Sequence, residues 1–68
     1  MRLKQALDEI KREMSGYLLA YDPRGRTPFA CRSWWCETGL WLHGYGDSEE
    51  EAAQDCLTQV LKFKGGFN

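Results

Sequence analysis

Phe29-Ala30-Cys31-Arg32-Ser33-Trp34-Trp35-Cys36-Glu37-Thr38-Gly39-Leu40-Trp41-Leu42-His43-Gly44-Tyr45 is the stretch on which the fold turns. Its two aromatic-rich runs, Phe29 to Cys36 and Leu40 to Tyr45, read as strands. Glu37-Thr38-Gly39 between them reads as a three-residue hairpin loop, with Gly39 in the left-handed position. Pairing Cys36 with Leu40 across that loop sets Trp35 opposite Trp41, Trp34 opposite Leu42 and Ser33 opposite His43. Alternation then places Phe29, Cys31, Ser33, Trp35, Trp41, His43 and Tyr45 on one face. Ala30, Arg32, Trp34, Cys36, Leu40 and Leu42 fall on the other.

Upstream, Tyr17 to Tyr21 reads as a further strand. It is stopped by Asp22-Pro23-Arg24-Gly25, whose Asp, Pro and Gly suit the first, second and fourth positions of a type I turn. Before it, Arg2 to Met14 is an amphipathic helix, with Leu3, Ala6, Leu7, Ile10 and Met14 forming one apolar stripe. Asp8 and Arg12 stand one turn apart on its polar side, and Ser15-Gly16 closes it, Gly16 being able to take the left-handed conformation. Downstream, Gly46-Asp47-Ser48 leads into a second helix. Ser48 and Glu51 have capping-box spacing, and Glu49 and Glu50 add negative charge at the positive end of the helix dipole. Ala52, Ala53, Cys56, Leu57, Val60, Leu61 and Phe63 make the expected buried stripe, and Gly65-Gly66 ends the helix, leaving a loose tail. The order is α-β-β-β-α. The expected fold is a single α+β domain over residues 1–68, a three-stranded antiparallel sheet with two helices packed on one face.

The chain has 68 residues, 43% of them apolar and 28% charged, with a formal net charge of −1. A chain this short buries only about 60% of the surface that it exposes when unfolded. Its core is thin, and a large enclosed active site is not expected. The longest apolar stretches fall far below the ~20 residues of a membrane span. Met1 to Gln5 runs into charged residues with no apolar signal segment. Three cysteines, Cys31, Cys36 and Cys56, are an odd count without the spacing of a disulfide framework, so free thiols and a cytoplasmic location are expected. The charge is split: residues 1–32 hold seven basic and four acidic side chains, residues 33–68 two basic and six acidic. Global attraction to nucleic acid is not expected from so neutral a domain.

Two helices can cover only one face of a three-stranded sheet, and the other face of an antiparallel sheet ordinarily reads polar. Here it does not. Whichever face the helices take, the second retains at least one Trp and several more apolar groups. Side chains, the loop after the first strand and the C-terminal tail could cover part of it. The alternative is a contact surface, because Trp and Tyr are enriched at binding hot spots and large exposed apolar patches mark interaction sites. Trp34, Trp35, Trp41, His43 and Tyr45 are the candidate anchors. Glu49 and Glu50, with Glu51, form an acidic corner that could guide a basic partner.

Gly44-Tyr45-Gly46-Asp47-Ser48-Glu49-Glu50-Glu51-Ala52 resembles the entry into the second helix of double-stranded-RNA-binding domains, Gly-x-Gly-x-Ser-x-x-x-Ala. That family shares the α-β-β-β-α order and the length. The resemblance implies that fold over nearly the whole chain. It departs where the family grips phosphates: lysines are expected at positions that here hold Glu49, Glu50 and Ala53. Phosphate contact requires positive charge, and the family's Gly-Pro-x-His in the first loop is replaced by Asp22-Pro23-Arg24-Gly25. Arg24, Arg26 and Arg32 remain as candidate nucleic-acid contacts. Gly46-Asp47-Ser48-Glu49-Glu50-Glu51-Ala52 also looks similar to the helix entry of HicB-type antitoxins, over the last third of the chain.

His43 has no neighbouring motif. It shares a predicted face with Cys31, so a Cys–His nucleophile pair is conceivable, but no third, orienting group is visible. Cys31, Cys36, His43 and Cys56 have the right atoms for zinc without the close Cys-x-x-Cys knuckle; Cys56 reads as a small core residue. No catalytic residue, metal or cofactor is expected. The expected function is non-enzymatic protein binding by a small regulator or inhibitor. Phages and other mobile elements encode many such proteins, some of which block host defence enzymes. Homodimerisation through the same face is compatible with it. A nucleic-acid-binding module using Arg24, Arg26 and Arg32 is the alternative, and a toxin–antitoxin component a third reading.

Overall fold

A computed structural model describes residues 2–65 of the chain. Helix α1 (Leu3–Glu13) is followed by strands β1 (Gly16–Tyr21), β2 (Phe29–Trp35) and β3 (Leu40–Gly46) and by helix α2 (Glu49–Gly65). The strands form one antiparallel sheet in the order β1-β2-β3. This is the α+β arrangement expected from the sequence. The expected looseness of the tail concerns positions 66–68, outside the described residues.

Both helices lie on one side of the sheet, where Ala6, Ile10 and Met14 of the α1 stripe meet Ala52, Ala53, Cys56, Leu57 and Val60 of α2 over Cys31. Leu3, Leu7, Tyr17, Leu19, Phe29, Trp35 and Leu42 pack around this core. The α2 stripe is shorter than expected: Leu61 is 51% exposed and Phe63 also faces out. On α1, Arg12 pairs with Glu9 at 2.9 Å rather than with Asp8.

Local chemistry sets the boundaries. Asp22 accepts the Gly25 N–H at 3.1 Å through its carbonyl and the Arg24 N–H at 3.0 Å through its carboxylate, so the turn forms as its residues dictate. Ser48 Oγ accepts the Glu51 N–H at 3.1 Å at the start of α2, satisfying an orphan donor of the first turn. Gly16 does not end α1 in the left-handed region. Met14 leaves the helix in an extended conformation, and Gly39 is the one positive-φ glycine among the described residues (φ 71°). Gly16 instead clears space for Trp34, since a Cβ there would stand 2.5 Å from the indole Cζ2.

The hairpin differs from expectation by one residue. Trp35 pairs with Leu40, Trp34 with Trp41, Ser33 with Leu42 and Arg32 with His43. The loop is therefore four residues, Cys36 to Gly39, closed by the Gly39 N–H donating to the Trp35 carbonyl at 2.9 Å. Cys36 is outside the strand, and its N–H donates to Ser15 Oγ at 2.9 Å. Because side chains alternate, this slip turns every β3 residue to the face opposite the expected one. The reason lies in α2. A Cβ at Gly44 would stand 2.2 Å from the Cys56 nitrogen, and one at Gly46 would stand 2.7 Å from the Ala52 nitrogen. The helix backbone rests directly on these two glycines, so Gly44 and Gly46 must face the helices, and Trp41, His43 and Tyr45 must face away.

Candidate functional site

The side of the sheet away from the helices carries Gly16, Leu18 and Ala20 from β1, Ala30, Arg32 and Trp34 from β2, and Trp41, His43 and Tyr45 from β3. Trp34 and Trp41 are direct cross-strand partners, their rings 5.1 Å apart and tilted by 38°. Such pairs stabilise a sheet by up to about 1 kcal/mol. Two residues along, His43 and Tyr45 stack with ring centroids 6.3 Å apart and planes within 7°. Trp34 is half-buried because its ring lies against Gly16, whereas Trp41 remains 48% exposed and Tyr45 50%. Leu18 and His43 are also exposed. The tryptophans on this face are not sealed by the chain's own described residues.

Of the expected anchors, Trp34, Trp41, His43 and Tyr45 come together on this face and Trp35 does not. Trp35 lies on the helix side, packed against the core, with the Lys64 ammonium 3.7 Å from its ring centroid in a cation–π contact. Glu49 and Glu50 are exposed in the first turn of α2. Glu50, Glu51 and Asp55 line a shallow depression beside Tyr45. Asp55 reaches the rim of β3, where its Oδ2 accepts the Tyr45 N–H at 3.0 Å. Tyr45 thus turns its N–H outward, and by the alternation of an antiparallel ladder Trp41 and His43 do the same. The aromatic face therefore ends in a strand edge whose donors are tied down at Tyr45 only, among the described residues.

Sequence reasoning placed Arg32 among nucleic-acid contacts and on the face of Trp34, but not beside Trp41, His43 and Tyr45, where it stands between Leu18 and His43. Its Nε is buried with no hydrogen-bond partner. Arg32 and Arg26 line one cleft of about 270 Å³ between the 22–28 loop and the sheet, with Tyr21, Ala20, Ala30 and Tyr45. Arg24 stands apart at the turn tip, its Nε 3.5 Å from Asp22 Oδ1. Leu18 was also missed. The glycine pair Gly44/Gly46 carried the signal for all of this, since two glycines at alternate strand positions mark the side that a helix approaches.

The conceivable Cys–His pair is not formed: Cys31 lies in the core and His43 on the open face. Cys31, Cys56 and Ser33 are all fully buried, with Ser33 Oγ 3.4 Å from Cys56 Sγ. The hydrogen bond with Cys56, aided by burial, pushes the Cys31 thiol well above its ordinary range. Cys36 is exposed at the hairpin end, so the three cysteines and His43 do not converge on a point. Among the described residues no group of three His, Cys, Asp or Glu is placed to hold a metal. Among the described residues no helix is long and apolar enough to cross a membrane. Comparisons with protein-family models, curated proteins and solved structures find no match for the chain.

Proposed function

We propose that this chain is a non-enzymatic protein-binding module, a small regulator or inhibitor that docks through the open face of its sheet. The observation that carries the reading is the Trp34–Trp41 pair, left half open on a face that also offers Leu18, His43 and Tyr45. Exposing indole to water is unfavourable in proportion to its area, and a partner surface removes that cost. Large rigid aromatics give much contact area for little lost side-chain entropy. The acidic corner at Glu49 and Glu50 adds orientation and speed of encounter more than affinity. A single small domain presenting one aromatic face has the build of the inhibitors that phages and other mobile elements direct at host defence enzymes, and we read it as one of that kind acting in the cytoplasm.

Affinity capture from the native cell tests this. Trp34→Ala and Trp41→Ala, each with a native circular dichroism spectrum, lose the partner held by the wild type. Retention of the same partners by both variants refutes the reading. A second copy of the chain as the partner would appear as a concentration-dependent dimer in sedimentation, lost in Trp41→Ala.

A second reading has one observation in its favour: Arg26 and Arg32 converge beside aromatic rings. With the likeness to double-stranded-RNA-binding domains, this fits a nucleic-acid module. Against it, Glu49 and Glu50 stand where that family holds phosphate-gripping lysines. Phosphate-driven affinity falls steeply with salt and apolar docking does not, so a salt titration separates the two. A toxin–antitoxin component, by the likeness to HicB-type antitoxins, would co-purify with a specific basic partner.

A further inference from the structure

We propose that the Arg26–Arg32 cleft is a carboxylate-binding site, and that the protein partner of the open face inserts an Asp or Glu side chain there. The inference rests on the docking reading above and names the chemistry that the face selects. Arg32 occupies the middle of the central strand, surrounded by Leu18, His43, Trp34 and Ala30, where a guanidinium is costly unless its N–H groups are paired. Its Nε is withdrawn from solvent and has no acceptor. A buried donor left unsatisfied costs about 1–3 kcal/mol, and more when charged. A small turn of the side chain into the cleft brings Nε and one terminal N–H against a planar carboxylate, which matches the guanidinium fork and supplies the missing acceptor with two parallel hydrogen bonds. Arg26, drawn over the sheet by the 22–28 loop, lines the same cleft and forms no ion pair among the described residues.

The same geometry disfavours a phosphate chain. Tyr45 lines both the arginine cleft and the depression formed by Glu50, Glu51 and Asp55. Positive and negative charge thus stand on the two sides of one tyrosine ring. Double-stranded nucleic acid carries a negative charge about every 1.7 Å along its axis, and a strand entering the cleft would run on into those carboxylates. A single acidic side chain flanked by apolar neighbours meets no such repulsion. A symmetric face-to-face dimer centred on β2 would oppose Arg32 to its own copy, so the occupant is a different protein.

The Nε–H resonance of Arg32 reports the site directly. Titrating the labelled protein with the blocked tripeptide Leu-Asp-Leu shifts this resonance saturably. The Leu-Asn-Leu counterpart binds at least about tenfold more weakly, as loss of a charge-assisted hydrogen bond implies. In Arg32→Gln, checked for a native amide spectrum, the Asp peptide binds about tenfold more weakly at neighbouring Tyr45 and Ala30 amides. Arg26→Gln, in the 22–28 loop and outside the strand ladder, weakens it in the same direction and serves if Arg32→Gln does not fold. Equal binding of the Asp and Asn peptides, no saturable shift with either, or a shift produced by a ten-nucleotide thymidine strand and not by the Asp peptide overturns the proposal. Those failures leave the docking reading intact, since it stands or falls on the Trp34→Ala and Trp41→Ala variants.

Discussion

One sheet presents two faces that both carry apolar side chains, and they are treated in opposite ways. On the helix side Cys31 and Ser33 are fully buried, and the glycines of β3 let α2 settle backbone-close. On the other side the Trp34–Trp41 pair, His43, Tyr45 and Leu18 meet no covering element of the described chain. The centre of the helix side, beneath α2, is made of small residues that tolerate close packing, ringed by Tyr17, Phe29, Trp35 and Leu42. The open side is made of wide, rigid rings around an arginine. The two faces differ in cover: one closes a thin core, and the other, in the docking reading proposed above, offers area and a charge to another molecule.

Substitutions that act on one face alone sharpen that contrast. Gly44→Ala has the largest expected effect. Its Cβ would meet the α2 backbone, which cannot yield as a side chain can, so destabilisation of about 3 kcal/mol or more is expected. Urea unfolding followed by circular dichroism measures it, and a near-neutral result would mean that α2 is not seated on β3. Leu57→Ala, in the core, comes next at about 2–5 kcal/mol, with the thermal midpoint falling accordingly. Trp41→Ala on the open face removes the larger side chain yet should cost only about 1 kcal/mol, chiefly the contact with Trp34. If Trp41→Ala destabilises as much as Leu57→Ala, the two faces are not distinct in kind. Arg12→Ala, which breaks the solvent-exposed contact with Glu9, should stay within about 0.5 kcal/mol of wild type.

The element order was legible because its punctuation is local. Asp22-Pro23-Arg24-Gly25 specifies a turn and Ser48 a helix start through bonds to their own neighbours. The register of the β2–β3 hairpin was not. A three- or a four-residue loop both place Gly39 in the left-handed position, and register is weakly marked where both faces are apolar. That single slip parted Trp35 from Trp41, His43 and Tyr45, set Leu40 and Leu42 beside it in the helix-facing layer, and brought Trp34 to Trp41. Of the candidate site, the residue types were therefore readable, and their grouping was not. Leu61 and Phe63 misled for a related reason: helical periodicity continues past the point where α1 and the sheet stop providing cover.

Those two residues also supply the internal control for the account. Leu61 and Phe63 are exposed apolar side chains on α2, alternatives to the sheet as points of docking. Hydroxyl-radical oxidation of the chain, free and then bound to its captured partner, reads the helix and the sheet face in one experiment. The account predicts protection of Trp41 and Tyr45 on binding, with oxidation of Leu61 and Phe63 unchanged. Protection of Leu61 and Phe63 while Trp41 stays as reactive as in the free chain would contradict it.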